Sequence, residues 1–221
     1  MQDRKDHPDS HLAELRVSGE KLFEGKFLEA WRDTVELPGG RLATREYVVH
    51  PGAVVVVAMV DTADGLKLVV ERQYRYPVEQ VMVEFPAGKL DLGERVFDCA
   101  RRELFEETGY SAAEWARAGV MHPVISYSTE FIDIWFARGL TAGERKLDEG
   151  EFLDVFLASA DELMALCRDG QLTDAKTSTC LLWLQNVMSG AWPLEWRSAA
   201  RCDAEETVRP VASGQRGRVS Q

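Results

Sequence analysis

The sequence of 221 residues predicts an α/β fold, in which helices cover both sides of a mixed β-sheet and a small antiparallel β layer comes first. The unbroken apolar run at residues 52–60, GAVVVVAMV, is typical of a central strand buried on both faces. Residues 174–188 have the apolar spacing of a helix, and apolar residues also recur every four positions from Val96 to Leu104. Between residues 18 and 49, short β-prone runs alternate with Gly-containing turns, which indicates antiparallel strands.

The chain divides into four predicted segments. They are a flexible N-terminus at residues 1–17, a β layer at residues 18–50, the main domain at residues 51–200 and a flexible tail at residues 201–221. Both ends are rich in polar residues, so we expect neither to form stable structure. The β layer is too small to build a core alone, so we expect it to pair with the main domain or with a second subunit.

Within the main domain, turn signals separate the predicted elements. Asp64 and Gly65 form a hairpin turn that leads into a strand at residues 66–72. Further strands are predicted at residues 81–84, 120–125, 131–137 and 152–157. A short helix is expected at residues 160–168. Strands alternating with helices in this way predict a single mixed sheet with helical layers.

Composition limits the classes of function. The formal net charge of −11 argues against non-specific binding to nucleic acid or to anionic membranes. No stretch has the unbroken apolar length of a membrane span, and the first residues are too polar for a signal peptide. The four cysteines are scattered and form no CxxC pair, as expected for reduced thiols in a cytoplasmic protein.

Three glutamates are predicted to share one face of the helix that follows Val96. Glu103, Glu106 and Glu107 stand at positions i, i+3 and i+4, so their carboxylates lie together, on a face that we expect to be wet. Like charges at this spacing repel each other, and a bridging cation would remove the repulsion. Oxygen ligands without accompanying His or Cys favour Mg²⁺ or Mn²⁺ over zinc.

Glycines bracket this acidic helix. Gly88 and Gly93 enclose a turn-rich loop before it, and Gly109 follows where a helix end requires a positive φ. The simple alternative is a solvated surface helix that happens to be rich in glutamate. The fixed spacing of the glycines, of Glu94 and of Arg102 favours a functional loop–helix–loop unit over that alternative.

The spacing of residues 88–110, GKLDLGERVFDCARRELFEETGY, resembles the Nudix box. That pattern reads G-x5-E-x7-R-E-U-x-E-E-x-G-U, with U a bulky apolar residue, and the segment agrees at every specified position if Tyr110 counts as apolar. The resemblance implies the α/β/α sandwich of the Nudix hydrolases. It also implies hydrolysis of a diphosphate, X–O–P–O–P–O–Y, by water attack on phosphorus.

The same resemblance implies a metal site. Glu103 and Glu107 match the main ligands of Mg²⁺, for which Mn²⁺ can substitute, and Glu106 is available for a further ion. The backbone carbonyl of Ala87 matches another ligand. Metal ions in such a site neutralise phosphate oxygens and lower the pKa of a bound water.

Arg102 and Glu94 match the family's pair that orients these carboxylates. We therefore place both in the catalytic centre, in a supporting role.

Four stretches outside the box resemble the ADP-ribose pyrophosphatase branch of the family. They are ERQYR at residues 71–75, VEFPAG at 83–88, LDEGEF at 147–152 and DAKT at 174–177. This likeness implies ADP-ribose, or a related ADP-sugar, as the substrate and AMP and ribose 5-phosphate as the products. The N-terminal strands match the dimer-building layer of that branch, which implies a homodimer.

The branch resemblance also suggests residues for substrate and water. Arg75 would contact the diphosphate, with Arg72 as a second candidate, and Glu84 would lie at the substrate end. Glu149 would act as the general base, with Glu151 in reserve. The alternatives are ordinary strand-edge cations for the two arginines and a solvated charged loop for the two glutamates.

One loop departs from the branch. Members that cleave ADP-ribose often carry a proline about fifteen residues beyond the box, where this chain reads SYSTE at residues 126–130. This departure leaves the reaction class unchanged but weakens the choice of ADP-ribose over another nucleoside diphosphate sugar. The alternatives are a diphosphatase for another nucleoside diphosphate sugar or a dinucleotide, and a non-catalytic nucleotide-sensing regulator.

Overall fold

The computed structural model describes residues 8–204, and these form two compact units. The first contains the described residues up to Pro51 together with Val124–Glu130. The second contains residues 52–123 and the described residues from Phe131 onward. The ends of the predicted flexible segments, residues 1–7 and 205–221, lie outside the described residues.

The first unit is a three-stranded antiparallel sheet. Its strands are β1, Leu15–Glu24; β2, Glu29–Glu36; and β3, Leu42–Val49, in the order β1-β2-β3. Among the described residues of this unit, Val35 is the only buried apolar side chain. A polar centre supplements it, because the buried Asp33 accepts hydrogen bonds from Arg16 Nε and Tyr47 Oη, each at 2.8 Å. The predicted antiparallel β layer is thus confirmed.

The loop that departs from the ADP-ribose pattern belongs to this first unit. The Val48 backbone N–H donates to the Tyr127 carbonyl at 2.8 Å, and the Thr129 N–H donates to the Val48 carbonyl at 3.0 Å. The prediction of a strand at residues 120–125 was wrong beyond residue 121, where the chain enters a turn. Pro123 has no N–H for a sheet ladder, which explains why pairing stops there.

The second unit is built on a mixed sheet. Its strands are β4, Ala53–Thr62; β5, Gly65–Arg75; β6, Gln80–Glu84; β7, Ala87–Lys89; β8, Tyr110–Met121; β9, Ile132–Ala142; β10, Leu153–Ala158; and β11, Arg197–Ser198. The main path runs β10-β5-β4-β9-β8-β11, with β6 paired to β5 and β7 paired to β4. Strands β4 and β9 are parallel, and the other described pairs are antiparallel. The hairpin predicted at Asp64 and Gly65 joins β4 to β5, with Gly65 at φ 98°.

Helices cover both faces of this sheet. They are α1, Val96–Thr108; α2, Ala160–Arg168; α3, Ala175–Met188; and α4, Ala199–Ala204. Val54 and Val56 of β4 pack on the side of α1, while Val55 and Val57 pack on the side of α2 and α3. This alternation explains why β4 is apolar at every position from Ala53 to Val60. The predicted α/β/α sandwich is confirmed.

The cap residues define where helices start. Ser159 makes a capping box with Glu162 at the start of α2, and the Asp174 side chain accepts from the Thr177 N–H at the start of α3. The strand β1 begins at Leu15 and α4 ends at Ala204, so both reach into segments predicted to be flexible. Within residues 8–204, no helix is long and apolar enough to cross a membrane.

Candidate active site

Two glycines fit α1 to its surroundings. A Cβ atom at Gly88 on β7 would overlap with the carboxyl group of Glu103, so only glycine lets this carboxylate lie against the β7 backbone. Gly109 ends α1 with φ 76°, and its N–H donates to the Phe105 carbonyl at 2.8 Å. The positive φ predicted for Gly109 is confirmed.

Arg102 connects three glutamates of the box. Its Nε and Nη2 donate to the two carboxylate oxygens of Glu94, each at 2.8 Å. Its Nη1 donates to Glu103 at 2.7 Å and to Glu106 at 3.1 Å. The planar guanidinium therefore fixes the orientation of the Glu103 and Glu106 carboxylates, which is compatible with the role that the resemblance implies. That role stays a prediction.

Glu107 is buried against the sheet, with only 2% of its surface exposed. Its carboxylate accepts a hydrogen bond from the Ala87 backbone N–H at 3.0 Å. The expectation of a wet acidic face was wrong for this residue, because α1 turns it toward β7 and the core. Burial raises the pKa of Glu107 well above its usual value, and the charges of Glu71 and Glu103 raise it further.

Glu103 shares this environment. Burial raises the pKa of its carboxyl to about 7, although the nearby Arg102 guanidinium opposes the shift. The charges of Glu106 and Glu151 add to the increase. Its side chain is 12% exposed, compared with 29% for Glu106. Among the three glutamates of α1, burial thus increases from Glu106 through Glu103 to Glu107, which lies against the sheet.

Glu84, at the end of β6, is held by two cations. Arg75 Nε and Nη2 donate to its two carboxylate oxygens, each at 2.7 Å. Lys176 at the start of α3 also pairs with Glu84, and its Nζ lies 3.1 Å from Asp174 Oδ2. Burial raises the pKa of Glu84, but the Arg75 hydrogen bond and the Lys176 charge outweigh it and lower the pKa overall. Arg75, a predicted diphosphate contact, is thereby linked to Glu84.

Arg72 lies apart from this pair. Successive residues of a strand point to opposite faces, so Arg72 points away from the face that carries Glu71. Its guanidinium lies 4.9 Å from the centre of the Phe156 ring. It lines an open cleft of about 630 Å³ together with Tyr74 and Arg145. The structure therefore does not bring Arg72 to the α1 carboxylates.

The two candidate bases occupy one short turn before β10. The Glu151 N–H donates to the Asp148 carbonyl at 3.1 Å, while Glu149 is exposed. Glu151 contributes to the raised pKa of Glu71, Glu103 and Glu107. Its negative charge therefore lies within electrostatic reach of the buried carboxylates.

Glu71 is a residue of this centre that the sequence interpretation did not select. It lies on β5 opposite Glu84 and is completely buried. Burial raises its pKa to about 8, and the Glu84 charge adds to the shift while Arg75 and Lys176 oppose it. A charged residue directly after Leu68, Val69 and Val70 was the available signal. Its meaning depends on strand register, which the sequence does not specify.

The donor set fits a divalent cation. Glu71, Glu103 and Glu107 each have a raised pKa, and the charge of Glu151 contributes to all three shifts. All are hard oxygen donors, which Mg²⁺ and Mn²⁺ prefer. Within residues 8–204, no group of three or more His, Cys, Asp or Glu side chains is already gathered closely enough to hold an ion. Binding would therefore require these side chains to reorient.

Comparisons with known proteins assign the chain to a family. The NUDIX domain family matches residues 49–179. The chain is 36% identical over 176 residues to the ADP-ribose pyrophosphatase of Bacillus subtilis (strain 168), covering 79% of this chain and 94% of that protein. It is 38% identical over 176 residues to the methanol dehydrogenase activator of Bacillus methanolicus, covering 78% and 92%.

A solved structure supports the fold. The crystal structure of an ADP compounds hydrolase superposes with a TM-score of 0.71 at 24% identity, covering 80% of this chain and 95% of that one. The family match spans more than half of the chain and includes α1 with its glutamates. The chain therefore belongs to the Nudix family and is a Nudix pyrophosphohydrolase.

Proposed function

We propose that this protein hydrolyses the diphosphate of ADP-ribose, or of a related ADP-sugar, to AMP and ribose 5-phosphate. The observation that carries the proposal is the cluster of buried carboxylates beside the Arg75–Glu84–Lys176 group. An acidic centre requires cations, and an anionic diphosphate requires them as well. The relative from Bacillus subtilis, named an ADP-ribose pyrophosphatase, supports the choice of substrate.

Glu103 and Glu107 would hold Mg²⁺, or Mn²⁺ in its place, with Glu106 and the Ala87 carbonyl as further ligands. Such a cation supplies charge neutralisation at phosphate oxygens and a lowered pKa for water. The raised pKa values of Glu103 and Glu107 support this assignment. Burial destabilises their ionised carboxylates, and a bound cation would stabilise them.

The protein's own side chains supply orientation and proton transfer. Arg102, itself oriented by two hydrogen bonds to Glu94, holds the carboxylates of Glu103 and Glu106 in place. A carboxylate of the 148–151 turn accepts the proton of the attacking water. The electrostatic coupling of Glu151 to the cluster favours it over Glu149 for this role.

Substrate contact is proposed for Arg75 and Glu84. Arg75 donates to Glu84 through its Nε and Nη2 atoms. Neither of these two hydrogen bonds uses its Nη1. A guanidinium that is already oriented presents its remaining N–H groups to a phosphate at low entropic cost. Arg72 lines the neighbouring cleft with Arg145 and Tyr74, where it would contact a more distant part of the substrate.

A homodimer and a cytoplasmic location complete the proposal. Strand β1 is exposed along its whole length and carries apolar side chains, including Leu15, Val17 and Phe23. An exposed apolar strand of this kind is typical of an interaction surface. The net charge of −11 supports a protein that binds neither nucleic acid nor membranes.

A substrate panel tests the function. Purified protein is incubated with Mg²⁺ and ADP-ribose, GDP-mannose or a dinucleotide polyphosphate, and the products are separated chromatographically. We expect AMP from ADP-ribose, and none after chelation of the metal. Faster turnover of another diphosphate would reassign the substrate, and the absence of metal-dependent turnover on the whole panel would refute the proposal.

A second candidate is regulation of a partner protein. One observation favours it, namely the relative from Bacillus methanolicus that is named for activating methanol dehydrogenase. A nucleotide-sensing regulator would bind members of the panel in calorimetry without hydrolysing them. Turnover together with binding supports the enzyme.

A further inference from the structure

Glu71 differs from the other buried acids of residues 8–204 because neither of its carboxylate oxygens has a hydrogen-bond partner there. Its exposed fraction is 0%, and neither carboxylate oxygen has a hydrogen-bond partner within the described residues. Buried polar groups are nearly always paired, since burying an unpaired charge is costly. A carboxylate at a completely buried position without a hydrogen-bond partner requires an explanation.

The nearby cations are already engaged. Arg75 makes two hydrogen bonds with Glu84, and Lys176 pairs with Glu84 and Asp174. Their positive charges oppose the rise in the pKa of Glu71, but within the described residues neither cation donates a hydrogen bond to the Glu71 carboxylate. The protein thus supplies cations to Glu84 and leaves the acid opposite it unneutralised.

The direction of the Glu71 side chain is set by the strand. Along β5, Val69 packs on the α1 side of the sheet and Val70 on the other side, so Glu71 faces α1. On that side its charge interacts with that of Glu107, which is the strongest charge effect on the Glu107 carboxyl. The unpartnered oxygens are therefore directed into the acidic centre from the sheet.

We propose that Glu71 is a further cation-binding residue, which contributes a carboxylate oxygen to a divalent cation held between β5 and the glutamates of α1. The inference rests on the proposed cation-dependent function. It extends that function by adding a ligand from outside the box, on the opposite side of the centre from α1.

Direct measurement of cation binding tests the inference without any substrate. Metal-free protein is titrated with Mn²⁺, and free Mn²⁺ is followed by electron paramagnetic resonance. We expect Glu71→Gln, which keeps the shape and removes the charge, to weaken Mn²⁺ binding by about 10- to 100-fold. Glu71→Asp keeps a shorter carboxylate, and we expect an intermediate loss.

Asp133 offers a matched control. It is also completely buried in the sheet, but both of its oxygens accept hydrogen bonds from Arg117, each at 2.7 Å. We expect Asp133→Asn to lower the melting temperature and to leave Mn²⁺ affinity unchanged. Glu71→Gln should leave the melting temperature of the metal-free protein unchanged or raise it, because a buried unpaired carboxylate is removed.

The outcomes separate the two proposals. If wild-type protein binds Mn²⁺ and hydrolyses a diphosphate while Glu71→Gln binds Mn²⁺ equally well, the role of Glu71 is refuted and the proposed function stands. If wild-type protein neither binds Mn²⁺ nor hydrolyses any diphosphate, both are refuted. Should Glu71→Gln fail to fold, Glu71→Asp decides, and unchanged affinity in that variant also counts against the inference.

Discussion

Glu71 and Glu84 lie opposite each other on β5 and β6, yet their carboxylates have opposite surroundings. Glu84 receives two hydrogen bonds from Arg75 and an ion pair from Lys176, and its pKa is lowered. Glu71 receives no hydrogen bond from any residue that the structure describes, and its pKa is raised to about 8. The difference shows a division within one site: one end is neutralised by the protein itself, and the other is the end at which we propose that a cation binds.

Substitution of Glu107, in the acidic part of the site, should reduce turnover more than any other change. Glu107→Gln removes one of the two main proposed cation ligands. We expect turnover of ADP-ribose to fall by about 1,000-fold, since a cation supplies several kcal/mol of transition-state charge stabilisation. The measurement is AMP release at saturating Mg²⁺, with Glu114→Gln, in the exposed pair with Arg138, as the control. Turnover within tenfold of wild type would contradict the metal assignment.

The turn before β10 allows the second test. Glu151→Gln should lower turnover by about 100-fold, because general-base catalysis typically contributes at least that factor. Glu149→Gln is the matched control, and we expect it to change turnover by less than tenfold because Glu149 is exposed. The reverse order of effects would restore Glu149 as the base, and equal small effects would place the base elsewhere.

Substitution of Glu84, at the neutralised end of the site, should lower the stability of the folded protein. Glu84→Gln leaves Arg75 and Lys176 without their shared carboxylate, whose side chain is only 2% exposed. Breaking a buried ion pair on one side typically costs about 3–5 kcal/mol. We expect a loss of this order in the free energy of unfolding, measured with urea on metal-free protein. Glu71→Gln should show no such loss, and equal losses in the two variants would remove the distinction between the two ends.

The test that involves no substitution is the pH dependence of the metal-free protein. Burial raises the pKa of Glu103 to about 7 and that of Glu71 to about 8, so the folded state binds more protons than the unfolded state above about pH 4.5. Stability should therefore fall as pH rises from about 4.5 to 8. Saturating Mg²⁺ should flatten this slope in thermal melts. A metal-free stability that rises across that window would contradict the raised pKa values.

Much of α1 could be predicted because its signal is local. The spacing of Glu103, Glu106 and Glu107 and the terminal Gly109 depend only on helix geometry, and the structure has α1 at Val96–Thr108 with Gly109 at its end. The β4–β5 hairpin was also predictable from its turn residues, and the helix predicted at residues 160–168 is α2.

Burial at the site could not be predicted in the same way. Whether Glu107 is wet depends on the sheet against which α1 packs, and the importance of Glu71 depends on the register between β5 and β6. The hydrogen bonds of residues 127–129 with Val48 likewise join segments far apart in sequence. Such contacts are set by tertiary packing, for which a single sequence carries no spacing signal.

Titration of metal-free wild-type protein with Mg²⁺, followed by its melting temperature at pH 8, shows whether the buried carboxylates bind a cation. If the buried carboxylates are an incomplete cation site, Mg²⁺ should raise the melting temperature saturably, as expected for about 2.7 kcal/mol of stabilisation at a free concentration 100 times the Kd. The same titration of Glu107→Gln should give a much smaller increase. A melting temperature of the wild type that does not respond to Mg²⁺ or Mn²⁺ would contradict the account.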